Sequence, residues 1–219
     1  MITLILADDH EVTRTGIKTI IELDSNIKVV KEVSNGKQLL DYLAECPEIP
    51  DTLLLDLEMP VMDGPMIINT LHANYPTLKV IVFSYLYETD IVINMITKGA
   101  SGFISKSEDP AKLSEAITDV YTNGYYLGEL VKKEYFKINI SSKNKEGFAG
   151  RHILSTREVD FIKYASTNLT YTEIAEQMNV STKTLENYRD SLFQKLEFKN
   201  RAALILYGIK NGIIHTSIE

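Results

Sequence analysis

An aspartate that ends a run of apolar residues is a carboxylate carried to the rim of a buried strand, and this chain does it twice. LLLD ends at Asp56 inside LLLDLEMPVMDG, Leu53 to Gly64, and ITLILA, Ile2 to Ala7, runs into Asp8, Asp9 and His10. In an open parallel sheet, ligands bind beyond the carboxyl ends of the strands, where the strand order reverses. If the first and third strands are neighbours, the three acids share one pocket. Carboxylates crowded in this way either take up protons or recruit a cation. Magnesium suits such a site, because it accepts one or two carboxylates, keeps several waters and leaves positions for phosphate oxygens. A plainer reading stays open, in which Asp9 caps the following helix and Asp56 merely ends a strand.

The elements needed to position these groups are legible in the first part of the chain. Apolar, β-rich runs at 2–7, 27–33, 52–56, 78–84 and 102–105 alternate with helical patterns at 11–22, 36–45, 64–74, 88–98 and 109–122. Five βα units in series predict a parallel sheet covered on both faces. Gly36, Gly64 and Gly99 fall at the boundaries between elements.

The rhythm stops after Asn123 and Gly124. The segment YYLGELVKKEYF, Tyr125 to Phe136, reads as a short helix, and Ile138 to Gly150 as a polar linker. A second domain starts near Arg151, giving a division into 1–122, 123–150 and 151–219. This domain reads as all helix. Ser155 with Glu158 and Thr170 with Glu173 fit capping boxes, Ser181 caps a third helix and Asn200 a fourth. Only Asn179 and Val180 separate the second helix, at 171–178, from the cap at Ser181, which is the spacing of a helix-turn-helix.

Composition narrows the class. The 219 residues are 44% hydrophobic and 24% charged, ordinary for a globular protein. Cys46 is the single cysteine and the four histidines are scattered, so neither an internal disulfide nor a zinc site is expected. The start MITLILADDH has no basic flank and too short an apolar run for a signal peptide. No segment approaches the ~20 apolar residues of a membrane span, and a cytoplasmic protein without membrane partners is expected. Residues 1–149 carry 14 Lys and Arg against 22 Asp and Glu, whereas residues 150–219 carry 9 against 8. The acidic excess lies in the first domain, and the near-neutral second domain is a weak electrostatic footprint for nucleic acid.

Taken in order, the acidic pair Asp8 and Asp9, Asp56 within DLEMPVMDG, Ser84 ending VIVFS and Lys106 in KGASGFISK fall at the ends of the first, third, fourth and fifth strands. With LSTREVDFI, TEIAEQMNVSTKTLENYRDSLFQKL and NRAALILYGIKNGII in the second domain, the chain resembles a two-component response regulator of the NarL/LuxR (NarL/FixJ) type. The resemblance covers nearly the whole length. It implies a flavodoxin-like receiver, a five-stranded parallel sheet of order 2-1-3-4-5, followed by a four-helix LuxR-type helix-turn-helix domain. It implies Asp56 as phosphoacceptor for a sensor histidine kinase. Mg2+ would be held by Asp9, Asp56 and the Glu58 backbone carbonyl, with Asp8 acting through a water. Lys106 and the Ser84 hydroxyl would contact phosphoryl oxygens, and Ser84 with Phe103 would form the switch. Phe103 carries no hydroxyl, so packing alone would hold its inward state, and a permanently buried core residue is the alternative. Phosphoryl transfer to a carboxylate needs a fixed nucleophile and charge neutralisation, which this set supplies. Glu58 and Tyr85 occupy positions that vary widely in the family, where either could alter the phosphoryl lifetime.

In the helix from Thr182 to Leu196, Leu185, Leu192 and Leu196, with Tyr188 between them, form an apolar stripe facing Ile174, Ala175 and Met178. Lys183, Thr184, Glu186, Asn187, Asp190 and Gln194 are left for the outward face, which in a helix-turn-helix enters the major groove of double-stranded DNA. Lys183, Arg189, Lys195, Lys199 and Arg201 are the candidate phosphate contacts. Glu186 and Asp190 stand where many relatives carry basic residues. The last helix, 200–211, groups Ala202, Ala203, Leu206 and Tyr207. In the family this helix pairs two copies on DNA, so a homodimer is implied; core packing is the alternative. Two other functions compete. An aspartyl phosphatase would need a second aspartate two residues after Asp56, where this chain has Glu58, and a non-DNA interaction module would suit the near-neutral second domain.

Overall fold

The computed structural model describes residues 1–60, 64–85, 89–128, 154–211, 213 and 214. Six parallel strands, β1 (Ile2–Ala7), β2 (Ile27–Val33), β3 (Thr52–Leu55), β4 (Lys79–Ser84), β5 (Gly102–Ser105) and β6 (Tyr126–Leu127), pair in the order β2-β1-β3-β4-β5-β6. Between them run α1 (Glu11–Ile21), α2 (Gly36–Glu45), α3 (Gly64–Asn74), α4 (Thr89–Lys98) and α5 (Lys112–Asn123). Strand side chains alternate between two cores, as the period of two requires. Leu4, Leu6, Leu54, Ile81 and Ile104 pack with Ile17 and Ile21 of α1 and with Leu113, Ile117 and Val120 of α5. Ile5, Leu53, Leu55, Val80, Val82 and Phe103 pack with α2, α3 and α4 on the other face.

The sixth strand corrects the expected five. Tyr126 and Leu127 pair with Gly102 and Phe103 of β5 and are buried, where a helix from Tyr125 to Phe136 is expected. The αL conformation of Gly124 (φ 82°) ends α5 and turns the chain back along the sheet, so its last turn meets a strand and not another helix. The rest of that helix, the linker to Gly150 and the domain start at Arg151 lie outside the described residues.

The C-terminal helices are α6 (Thr156–Ala165), α7 (Tyr171–Gln177), α8 (Thr182–Leu196) and α9 (Arg201–Lys210). Their starts follow the caps. Ser155 and Thr170 form complete capping boxes with Glu158 and Glu173, and Ser181 and Asn200 accept the N–H groups of Thr184 and Ala203. Each such cap is worth about 1 kcal/mol. Helix α9 is buried on every side, lying between α6 and α4, so the apolar core of the receiver continues into the helical domain.

Candidate functional site

Strand register assembles the acidic pocket. Ala7 pairs with Leu55, so Asp8 and Asp56 leave the sheet side by side, and the Asp56 N–H donates to the Ala7 carbonyl at 2.9 Å. Ser84 pairs with Ser105, which sets Lys106 beside the end of β4, its N–H donating to the Ser84 carbonyl at 3.0 Å. Asp8, Asp56 and Ser84 are buried. The Lys106 ammonium donates to Asp8 Oδ2 at 2.8 Å and to Asp56 Oδ2 at 2.7 Å. The remaining oxygens accept backbone N–H groups, Asp8 Oδ1 from His10 at 2.8 Å and Asp56 Oδ1 from Glu58 at 3.1 Å. Burial pulls the Lys106 ammonium toward its neutral form, but the bonds from Asp56 and Asp8 outweigh it and hold its pKa above the ordinary value.

Asp9 stands at the same rim without serving as a cap. The N-cap of α1 is His10, whose side chain makes no capping bond. Asp9 Oδ1 is buried and accepts no hydrogen bond; His10 Nδ1 lies 2.8 Å away, an ion pair only when that imidazole is protonated. Oxygens of Asp8, Asp9 and Asp56 and a nitrogen of His10 all fall within 4.8 Å of one another. The carboxylates outnumber the single ammonium, and uncompensated buried charge costs several kcal/mol. An orphaned oxygen in an oxygen-rich, net-negative pocket fits a hard divalent cation. His10, 70% exposed and a nitrogen donor, fits Mg2+ less well.

The surroundings of Lys106 are aromatic. Its ammonium lies 5.5 Å from the Phe83 ring and 5.7 Å from the Tyr85 ring, within cation–π range. Tyr85 is 62% exposed at the mouth, and the Glu58 side chain is exposed as well. Phe103 is wholly buried, paired with Val82, so the aromatic occupies the inward position. Arg14, which sequence patterns did not single out, donates to the Asp8 backbone carbonyl at 2.7 Å and fixes the β1–α1 turn.

In the helical domain Leu185, Leu192 and Leu196 are buried as the stripe predicts. Lys183 (80% exposed), Asn187 and Asp190 (65% exposed) face solvent, with Thr184 and Glu186 half-buried beside them. The candidate phosphate contacts separate. Lys183 pairs with Glu186 at 3.3 Å, and Arg189 pairs with Asp190 and lies over the Tyr171 ring. Lys195 bonds Glu158 at 2.9 Å, and Lys199 donates to Asn69 of α3 in the first domain. Arg201 is corrected outright. It is 2% exposed, and its guanidinium donates to the carbonyls of Ala165, Asn123 and Thr167, between the rings of Tyr125 and Tyr171. Buried in this way, the guanidinium is out of reach of a DNA phosphate. Arg157 of α6, donating to the Tyr188 hydroxyl at 2.7 Å, is an exposed cation beside α8 that the motif reading missed.

Comparison with known proteins agrees with this geometry. Residues 4–118 match the response regulator receiver domain, and residues 152–207 match the bacterial regulatory proteins of the luxR family. The transcriptional regulatory protein DegU of Brevibacillus brevis is 28% identical over 96% of this chain and 94% of its own length. Response regulator UvrY of Escherichia coli is 29% identical over 97% and 96%. Among solved structures, RcsB of Salmonella typhimurium matches with a TM-score of 0.58 at 27% identity, covering 94% of this chain and 97% of that one. A structure of two RcsB dimers bound to two parallel DNAs matches at 0.57 and 26%, over 95% and 98%. Receiver pocket, sheet and helix-turn-helix therefore fall in one lineage, and the chain belongs to the NarL/FixJ family of response regulators, a receiver joined to a LuxR-type DNA-binding domain that regulates transcription.

Proposed function

We propose that the chain is a transcription factor switched by phosphorylation of Asp56 from a sensor histidine kinase. The observation that carries the reading is the meeting of Asp8, Asp56 and Lys106 at one buried rim beside an Asp9 oxygen that accepts no hydrogen bond. An Asp56 carboxylate oxygen forms a bond to phosphorus as the bond to the kinase histidine nitrogen breaks, giving an acyl phosphate on this chain. The imidazole leaves carrying the electron pair. Lys106 is already within bonding distance of Asp56 and turns to a phosphoryl oxygen, while Ser84, one strand away, donates to another. Asp9 and Asp56, with the Glu58 carbonyl and a water held by Asp8, would hold Mg2+, which supplies charge neutralisation for the phosphoryl oxygens. Since the phosphoryl group ends on the protein's own residue, the chain is no turnover enzyme, and the family match favours this over the aspartyl-phosphatase reading.

The division proposed is 1–122 as receiver, 123–150 as linker and 151–219 as the DNA-binding domain. α8 enters the major groove with Lys183, Thr184, Glu186, Asn187 and Asp190 toward the bases. Lys183, Arg189 and Arg157 supply phosphate contacts, and Lys195 stays a helix-to-helix tie. The DNA-bound form is a homodimer paired through α9, as the RcsB–DNA structure is dimeric. Kinase and promoter place the protein in the cytoplasm. The test is labelling from a small phosphodonor with Mg2+. Parent protein takes up acid-labile phosphate, and Asp56→Asn falls to background because an amide is not a usable nucleophile. Labelling of the variant at the parental level rejects Asp56 as acceptor.

A further inference from the structure

The helical domain carries a cleft that neither the phosphoryl pocket nor the base-reading face of α8 uses. It opens between the first two turns of α6 and the middle of α8 and encloses about 350 Å3. Helical spacing makes it. Ser155, Glu158 and Phe161 fall on one face of α6, and Tyr188, Ser191, Leu192 and Lys195 on the facing side of α8, three and four residues apart. Phe161 and Leu192, both buried, form an apolar floor, and the half-buried Tyr188 ring forms a wall. At the rim stand Ser155 and Ser191, both exposed and both small, and they leave the mouth open.

Two charged residues of α6 line the cleft, and they differ in what answers them. The Glu158 oxygens accept from the Lys195 ammonium at 2.9 and 3.0 Å and from the Ser155 N–H at 2.6 Å, so this ion pair closes one end of the cleft without net charge. Arg157 has no such match. Its guanidinium reaches across to the Tyr188 hydroxyl at 2.7 Å, and among the described residues no carboxylate pairs with it. The planar fork of an arginine presents several N–H donors, and a hydroxyl oxygen satisfies only one of them. The Tyr188 hydroxyl, accepting that bond, keeps its own proton to give.

Volume, lining and charge select the occupant. Pockets of about 300–1,000 Å3 with mostly apolar walls and a few fixed polar groups take small molecules, and this cleft lies at the lower end of that range. A docked helix needs anchors from i to i+7, about 10 Å of groove, whereas residues 155–161 and 188–192 supply only about 9 and 6 Å of wall. The groove is too short to seat one. An aromatic ring fits against Phe161 and Tyr188, and a carboxylate matches the arginine fork with two parallel bonds. The geometry points to a binding site for a small aryl carboxylate, its ring on Phe161 and Leu192 and its carboxylate on Arg157 and the Tyr188 hydroxyl. Because Arg157 is also one of the groups offered to DNA phosphate, an occupant would take that contact away. This consequence, unlike the site itself, rests on the reading of the helical domain as a DNA binder.

In the full-length protein, 3-phenylpropanoate and its neutral amide, equal in size, separate the ring from the charge. Titration followed by the backbone amide resonances of α6 and α8 should show saturable binding of both, with the acid about fivefold tighter, equivalent to about 1 kcal/mol. Arg157→Gln should erase the preference and leave the affinity for the amide as it was. Ser191→Phe, which fills the mouth from an exposed position, should abolish binding of both, with helix content by circular dichroism unchanged. Absence of saturable binding to the parent, equal affinity for acid and amide, or undiminished affinity in Ser191→Phe overturns the inference; should Ser191→Phe lose helix, the preference in the parent and its fate in Arg157→Gln decide. Saturating acid should also weaken binding of random duplex about fivefold near 0.15 M salt and lower the salt slope by about one unit. Binding of the acid with an unmoved duplex affinity leaves the site standing and removes Arg157 from the phosphate contacts, so the site and the DNA contact fail separately.

Discussion

Two buried cations sit at opposite ends of the receiver sheet, and they are held in opposite ways. Lys106 lies between the carboxylates of Asp8 and Asp56, in a pocket where negative charge exceeds positive. Among the described residues Arg201 touches no carboxylate; three backbone carbonyls and two tyrosine rings surround it. Burial lowers the Arg201 pKa and raises those of Tyr125 and Tyr171, yet the guanidinium stays charged at any pH the fold survives. A pocket whose side-chain charges do not cancel is a place for a ligand. A cation satisfied by fixed backbone dipoles needs none, and acts as architecture.

The largest stability effect should separate the two. Arg201→Met leaves the buried carbonyls of Ala165 and Asn123 without their guanidinium donors, while the Thr167 carbonyl keeps the Tyr125 hydroxyl at 3.3 Å, and at ~1–3 kcal/mol for each buried unsatisfied group the helical domain should lose about 2 kcal/mol or more in urea denaturation. A loss under ~1 kcal/mol would erase the distinction, since it would mean that the carbonyls find water as readily as they found the guanidinium.

At the other end, Asp9→Ala removes an oxygen that has no hydrogen bond to lose. Folding should be unchanged, while the Mg2+ concentration needed for half-maximal labelling rises roughly tenfold, equivalent to about 1.4 kcal/mol. An unaltered Mg2+ dependence would remove Asp9 from the metal site and make the pocket more like the Arg201 clamp than the comparison allows.

Glu158 lies between the two regimes, half-buried and answered by both backbone and side chain. Burial pushes its carboxyl up, but the Ser155 N–H and hydroxyl and the Lys195 ammonium outweigh it, so the pKa falls below the ordinary value. A depressed acid contributes stability above its unfolded pKa, near 4.3, and loses it as pH falls through the folded value. Glu158→Gln should therefore cost about 1 kcal/mol at pH 7, and the gap to the parent should close below about pH 4. A gap independent of pH would show that packing, and not charge, is what Glu158 supplies.

The acidic pocket was legible because its charged and hydroxyl groups are side chains at strand ends, where Asp8, Asp56, Ser84 and Lys106 interrupt or follow apolar runs in chain order. The helix starts were legible for the same reason: Ser155, Thr170, Ser181 and Asn200 announce caps by type and spacing. The sixth strand was hidden, because two residues, Tyr126 and Leu127, carry no period and the helical spacing of the following stretch dominates. Arg201 was misassigned because an arginine beside a recognition helix reads as a phosphate contact, while the carbonyls that consume it leave no mark on sequence. The second bond set of Asn200 was invisible on the same ground, its partners being the backbone of Ile96 and Ala100 more than 90 residues away.

The central claim is that charge placed on Asp56 changes what the helical domain does. Its most direct test is the affinity of the full-length protein for promoter duplex at one fixed salt concentration, since phosphate contacts make binding steeply salt-dependent, with and without Mg2+ and a beryllofluoride-type mimic, in the parent and in Asp56→Asn. The mimic should tighten the parent as a dimer on half-sites about 10 base pairs apart and leave Asp56→Asn unmoved. Equal affinities in all four conditions, or the same tightening in Asp56→Asn, would contradict a switch seated at Asp56.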